Sequence, residues 1–287
     1  MIFYTSAIVL GLCLTAMGLG IFITMRIFKI PDITTDGSYT LGASVTAILL
    51  TTGWSWWAII PITLIAGALA GSITGWIHTR LGVDALLAGI LVMTGLYSVN
   101  LTILGRSNVP LNETDNLFSS LKFIENPLFS QLIIVMGVCL LLIFLVYVLL
   151  RTDFGIAMRA TGDSETMTES LGINNAKMKT IGLSIANALT AFSGFLLAQF
   201  QLFADINMGI GIVLTGLGSV LIGNTLGNLF QHHSIFLQLI WVAIGAIAFQ
   251  VLLATAISIG INPNLLKLIT AVFVLGIVGI PKLISKT

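Results

Sequence analysis

The chain has 287 residues, of which 57% are hydrophobic and 8% are charged, with a net charge of +1 and a mean hydropathy of +1.07. Soluble domains carry about 25% charged residues, so this chain has too little polar material to cover a water-facing surface. This composition excludes a soluble enzyme and a disordered chain. A nucleic-acid binder is also excluded, because a net charge of +1 creates no field that attracts polyanions. Long apolar runs, each near the roughly 20 residues that span a bilayer, predict an all-α polytopic membrane protein with about eight to ten helices.

Nine membrane spans are predicted, at about 5–25, 37–52, 56–77, 83–104, 128–150, 180–203, 209–226, 234–258 and 263–280. The second and seventh spans are short and Gly-rich, and each is the second span of its half of the chain. We therefore expect two inverted, pseudo-repeated halves with broken second helices. Close helix packing through glycine is the simpler interpretation of the same residues. Whether these two spans cross fully or are re-entrant stays open.

The whole chain, 1–287, is interpreted as a single transmembrane domain, with a first half at about 1–150, a loop at about 151–179 and a second half at about 180–287. If the spans alternate, nine of the twelve Lys and Arg residues fall on the side of that loop, leaving Arg106, Lys122 and Lys267 on the other. The positive-inside rule then predicts a cytoplasmic loop, an external N-terminus and a cytoplasmic C-terminus.

Charged side chains are scarce inside the predicted spans, and the acidic residues nearest the hydrocarbon are Asp36, Asp84 and Asp205. Ion-driven carriers usually need intramembrane ionisable groups, so this scarcity argues against proton or sodium coupling and against an intramembrane metal site. The chain contains no G-x-x-x-x-G-K-[ST] phosphate-binding loop, so we expect it to bind no ATP itself. The adjacent His232 and His233 are interpreted as a solvated loop.

The loop at 151–179 contains eight of the 23 charged residues. Its centre mixes acidic and apolar side chains, and Thr161 or Asp163 is predicted to cap a short helix that ends at Gly172. A helix that lies on a bilayer is usually basic, whereas this one is acidic. A protein partner with a groove for the apolar face is therefore the better interpretation.

Two stretches of sequence carry a resemblance to a known family. The run R-A-T-G-D at 159–163, followed by E-S-L-G-I-N at 169–174, resembles the coupling-helix loop of the permease subunits of bacterial ABC importers. The run I-T-T-D-G-S-Y-T-L-G-A at 33–43 is similar to the second helix of the branched-chain amino acid and ribose permease superfamily. Within that superfamily the chain looks most like the permeases assigned to tryptophan and tyrosine uptake.

The resemblance implies a subunit without catalytic activity or cofactor, with ATP and Mg²⁺ held by a separate ATPase. It implies a cytoplasmic ATPase dimer, an extracytoplasmic substrate-binding lipoprotein and a second permease chain, in a homodimer, all at the bacterial cell membrane. The family's coupling positions correspond here to Arg159, Gly162, Glu165, Glu169, Leu171, Gly172 and Ile173.

The translocation pathway is predicted from the two Gly-rich spans, at Asp36, Gly37, Tyr39, Gly209, Gly211 and Asn224. A pathway with few charges suits a small zwitterion or neutral solute. An aromatic amino acid is the first expectation, and branched-chain amino acids, nucleosides and sugars stay open. Two alternatives are a self-sufficient secondary carrier or channel and a membrane scaffold without transport.

Overall fold

The computed structural model describes residues 2–112, 114–121, 126–229, 234–262 and 265–284. Lys122, Lys286, His232 and His233 lie outside these ranges. The helices are α1 (Ile2–Ile21) with a π-helical continuation (Phe22–Ile27), α2 (Thr34–Thr51), α3 (Trp56–Arg80), α4 (Ala85–Leu104), α5 (Leu117–Ser120), α6 (Pro127–Arg151), α7 (Asp153–Asp163), α8 (Glu165–Ser170), α9 (Asn175–Gln201), α10 (Ile212–Leu229), α11 (Ile235–Ser258) and α12 (Leu266–Ile284). Two short strands are β1 (Asn108–Pro110) and β2 (Phe203–Asp205).

The predicted all-α, multi-pass architecture is confirmed. Each predicted span corresponds to one long helix, and six helices in the described ranges are long and apolar enough to cross a bilayer. Those six are α1 with its continuation, α3, α4, α6, α9 and α11. Helices α1 and α9 are mostly buried, whereas α3, α4, α6 and α11 expose large apolar side chains on one face. The bundle therefore has α1 and α9 at its centre and presents an apolar perimeter, as expected of a chain surrounded by lipid.

The helix contacts repeat when the two halves are exchanged. Helix α2 packs on α3 and α4, and α10 packs on α11 and α12. Across the halves, α3 packs on α9 while α11 packs on α1, and α2 packs on α9 while α10 packs on α1. The first half has one further long helix, α6, so an odd number of spans precedes α9 and reverses its direction. These contacts agree with the predicted inverted halves.

Glycine faces allow the central helices to approach closely. Gly67, Gly71 and Gly75 lie one helical turn apart on α3, and a Cβ at any of them would meet α9 backbone atoms. Gly11 of α1 is placed similarly against Ile247 of α11. Lipid supplies no hydrophobic drive between apolar helices, so small residues that bring backbones together are the main source of their packing.

The predicted breaks within the second helices are wrong, because α2 and α10 are each one continuous helix. Gly42 instead allows the backbone of α2 to lie against Ala191 of α9. The non-helical segments come just before the Gly-rich helices, at 28–33 before α2 and at 206–211 before α10. Each of these helices thus begins beside an irregular segment, which a membrane tolerates only where protein surrounds it.

The two ends of the bundle differ. Helix α9 has 27 residues, or about 40 Å, and it begins after α8 and ends before β2. Strand β2 pairs antiparallel with β1, which follows α4, so the strands cover one end. Helices α7 and α8 lie at the other end, where Lys29 contacts Asp163 at 3.5 Å.

Candidate functional site

The N-termini of α2 and α10 meet inside the bundle at Asp36. The carboxylate is 7% exposed; its Oδ2 accepts a hydrogen bond from the N–H of Gly211 at 2.8 Å, and its Oδ1 accepts one from Val213 at 2.9 Å. The first N–H groups of a helix have no partner within the helix, and an acidic group there is also favoured by the helix dipole. Asp36 therefore caps a helix that follows it by more than 170 residues.

Three further residues predicted for the pathway, Gly37, Gly209 and Gly211, lie around Asp36. Gly209 lies against the carbonyl oxygen of Asp36, and the Asn100 amide donates to the carbonyl of Gly37 at 3.1 Å. The cavity between these groups is only about 30 Å³. This volume holds about one water molecule, so an amino acid cannot pass at this point in the state described here.

Tyr39 and Asn224 do not join this group. Tyr39 is fully buried one turn further along α2, and its hydroxyl has no hydrogen-bond partner among the described residues. It lines a cavity of about 390 Å³ together with Gln201, Asn207 and Gln250. Asn224 lies twelve residues beyond Ile212 on α10, or roughly 18 Å along the helix axis. The predicted pathway residues therefore divide among three places.

A second buried carboxylate, Asp32, lies in the irregular segment before α2 and was not among the residues predicted for the site. Its Oδ2 accepts a hydrogen bond from the Asn187 amide at 2.7 Å, and the Ser38 hydroxyl donates to Asn187 Oδ1 at 2.7 Å. Asn187 is near the middle of α9, so this network lies deep in the bundle. The prediction of the acidic residues nearest the hydrocarbon omitted Asp32 and is corrected here, because Asp32 is only 5% exposed although Lys29 and Pro31 of the same segment are exposed. The available signal was Asp32 two residues before Thr34, a spacing typical of a helix cap.

The predicted short helix of the loop is present as α8, with a different cap. Ser164, not Thr161 or Asp163, precedes the helix, and its hydroxyl accepts from the N–H of Met167 at 3.4 Å. Thr161 and Asp163 belong to the last turn of α7. The predicted termination at Gly172 is confirmed, since its φ of +79° is the left-handed conformation that glycine adopts without strain.

The seven residues predicted for coupling lie in two groups. Five are on α8 or just after it: Glu165, Glu169, Leu171, Gly172 and Ile173. Glu169 and Leu171 are exposed, and Leu171 has 68% of its surface accessible. The other two, Arg159 and Gly162, are on α7, and Arg159 is half-buried. Gly162 lies against the carbonyl of Ile27, so this glycine allows α7 to pack closely on the end of α1.

Helix α8 is attached firmly to the start of α9. The Asn175 side chain accepts a hydrogen bond from the Thr168 hydroxyl at 2.7 Å and donates to the Glu165 carbonyl at 2.8 Å. Lys179 forms an ion pair with Glu165 at 2.7 Å. These contacts join a six-residue surface helix to the central helix of the bundle, so a force on α8 would reach α9 directly.

Comparisons with known proteins agree with this arrangement. The family described as the branched-chain amino acid transport system permease component matches residues 3–278. A tyrosine transport system permease protein of Clostridioides difficile is 38% identical over 94% of this chain and 88% of its own length. The resemblance found in the sequence is therefore confirmed.

Two solved structures share the fold at 14% sequence identity. One is PsaBC from Streptococcus pneumoniae, with a TM-score of 0.53, covering 96% of this chain and 89% of the other. The other is an inward-facing metal-chelate type ABC transporter, with a TM-score of 0.51, covering 99% and 85%. At this identity the likeness shows the fold alone.

Proposed function

This chain belongs to the family of branched-chain amino acid transport system permease components, and on that premise we propose that it is the permease subunit of an ABC importer for an aromatic amino acid of the tyrosine class. The observation that carries the substrate is the 38% identity to a tyrosine transport system permease over nearly the whole of both chains. ATP and Mg²⁺ would be bound by a separate ATPase dimer, and this chain would contribute no catalytic group.

The ATPase would dock on α8, at the cytoplasmic end of the bundle. The exposed Met167, Glu169 and Leu171 give α8 an apolar surface with an acidic neighbour, which fits a groove in a partner protein. Because Asn175 and Lys179 tie α8 to α9, movement of the docked ATPase would be transmitted to the helix that packs on α1, α2 and α3. The proposed coupling is thus mechanical.

A substrate-binding lipoprotein would dock at the opposite end, beside the strands. An open cavity of about 550 Å³ lies there between Trp54, Trp57 and Asp115, and the two tryptophan residues are 51% and 65% exposed. Exposed tryptophans are frequent anchors of protein interfaces. This end would face the outside of a bacterial cell, with the N-terminus external and the C-terminus cytoplasmic.

The substrate would pass along the interface of two copies of the chain in a homodimer. The cavity beside Asp36, between α2, α4 and the segment before α10, measures only about 30 Å³, which favours a route outside this part of the bundle. Alternation between outward-open and inward-open states requires that the ATPase bind the two states with different affinity. Asp36 and its neighbours would then hold α2 and α10 together during the movement.

The experiment is copurification of the chain with its cognate ATPase, with ATP hydrolysis measured in lipid vesicles. We expect a stable complex whose hydrolysis rises several-fold when the binding protein is added with tyrosine. A chain that binds no ATPase but transports a solute down an ion gradient would instead be a self-sufficient carrier. Hydrolysis that responds to leucine or ribose and not to tyrosine would retain the class and change the substrate.

A further inference from the structure

A further cavity, separate from the polar centre and from α8, lies at the α7 end of the bundle. It has a volume of about 220 Å³ and lies where the π-helical end of α1, the end of α6, α7 and the beginning of α11 converge. Apolar side chains, among them Phe22, Leu150 and Ile235, form part of its wall. Arg26 and Arg159 are the basic residues in the wall, and Asp163 is the acidic one.

The positive charge in this cavity is not balanced within it. Asp163 contacts Lys29 at 3.5 Å, so its charge is shared with a cation outside the lining. The Nε of Arg159 is buried and has no hydrogen-bond partner among the described residues. A buried donor without an acceptor is unfavourable, and a guanidinium matches the oxygens of a phosphate or carboxylate. An oxygen-bearing anion bound here would supply the acceptor for the Nε–H of Arg159.

The surroundings of the cavity are those of a membrane interface. Tyr147 lies one turn before Leu150, and the Cζ of Arg151 lies over its ring at 5.4 Å from the ring centroid. The same ring packs edge-on against Phe236, with 5.2 Å between the ring centroids. Phe236 is 40% exposed. Aromatic and basic side chains of this kind are enriched where hydrocarbon meets headgroups. An occupant that enters here would meet apolar surface beside the two arginines.

We propose that the cavity between Arg26 and Arg159 binds the phosphate group of an anionic phospholipid, with the acyl chains lying along the exposed apolar surface of α6 and α11. The two guanidiniums would bind the phosphate oxygens, and the Nε–H of Arg159 would gain its missing acceptor. Because Gly162 of α7 lies against Ile27 beside this cavity, the lipid would also hold α7 against the end of α1. This proposal does not depend on the substrate or on the proposed function.

The test measures binding of phosphatidylglycerol and phosphatidylcholine to the full chain in detergent by native mass spectrometry. We expect phosphatidylglycerol to bind at least tenfold more tightly than phosphatidylcholine. Arg26→Gln and Arg159→Gln should each weaken it about fivefold, the effect of roughly one basic residue at a membrane surface. Arg80→Gln, which removes an exposed cation from the end of α3 outside the cavity, is the matched control and should change binding less than twofold.

A titration with inorganic phosphate separates the two sources of the anion. Under the proposal, millimolar phosphate displaces little phosphatidylglycerol, because the free ion gains nothing from the apolar surface. Complete displacement at that concentration would overturn the lipid assignment. Unchanged phosphatidylglycerol binding in Arg26→Gln, an exposed position that should not impair folding, would overturn the site itself. An equal loss in Arg80→Gln would do the same.

Discussion

The carboxylate of Asp36 accepts a hydrogen bond of 2.8 Å from the N–H of Gly211, which joins the start of α2 to the start of α10. A second bond, from Val213 at 2.9 Å, uses the other oxygen of the same carboxylate. Both helices are the second long helix of their half, so this contact connects equivalent elements of the two halves. In the hydrocarbon core no bulk water is available to accept hydrogen bonds from the free N–H groups at the start of α10. The Asp36 carboxylate accepts them instead.

Asp36→Asn should lower the free energy of unfolding by about 1–3 kcal/mol, since an amide offers one acceptor oxygen where the carboxylate offers two. The midpoint of thermal unfolding in detergent measures the change. Asp84→Asn is the matched control, because Asp84 caps α4 at an exposed position where asparagine caps equally well. Equal midpoints for Asp36→Asn and the unaltered chain would show that the contact does not stabilise the bundle.

Gly42→Ala should destabilise the bundle by about 1–3 kcal/mol, because its Cβ would meet the backbone of Ala191 in α9. Gly137→Ala on α6 makes the same chemical change where, outside the neighbouring backbone of α6, no atom of the described residues lies within 4 Å of the new carbon. That control should be neutral or stabilising by up to about 1 kcal/mol, from helix propensity. Thermal unfolding of both variants measures the difference, and a smaller loss at Gly42 than at Gly137 would contradict the packing described for α2 and α9.

Asp32 and Asn187 should contribute to stability as a unit. Either Asp32→Ala or Asn187→Ala removes the hydrogen bond of 2.7 Å between them and leaves the remaining buried side chain with one partner fewer, at a cost of about 1–3 kcal/mol. The double variant should therefore lose less than the sum of the two single losses, and the double-mutant cycle measures the difference. Strictly additive losses would mean that the two side chains do not interact in the membrane.

Glu169→Lys and Leu171→Ser alter the exposed surface of α8 and should reduce coupled uptake at least tenfold, because the ATPase would lose its contact. Neither side chain is buried, so both variants should insert in the membrane at the normal level. Initial uptake rates in vesicles, normalised to the amount of inserted chain, measure the effect. Asp84→Asn, an exposed acidic change away from α8, should transport normally. Normal uptake by Glu169→Lys would contradict the proposal that the ATPase docks on α8.

The long helices could be predicted from sequence because the length and apolarity of a span are local properties. The span predicted at 56–77, for example, is α3 at Trp56–Arg80. The end of α8 at Gly172 was likewise predictable, since a left-handed glycine after a helix is a local signal. The beginning of α8 was not, because Thr161, Asp163 and Ser164 are all acceptable caps and only the extent of α7 selects among them.

The polar centre could be predicted only in part. The grouping of Asp36 with Gly209 and Gly211 followed from the repeated Gly-rich spans, but the role of Asp36 as a cap depends on a contact between distant parts of the chain. Tyr39 lies only three residues from Asp36, one turn further along α2, yet it lines a different cavity. Asp32 was missed because a six-residue connection between apolar runs is normally exposed, and nothing local shows that Asp32 is buried while Lys29 and Pro31 beside it are exposed.

The most direct test is uptake of labelled tyrosine into vesicles that contain this chain, its cognate ATPase and the binding protein. The proposal predicts accumulation that requires ATP and magnesium on the ATPase side, persists when ion gradients are collapsed and is lost when the ATPase is omitted. Uptake that proceeds with this chain alone and stops when an ion gradient is dissipated would contradict it.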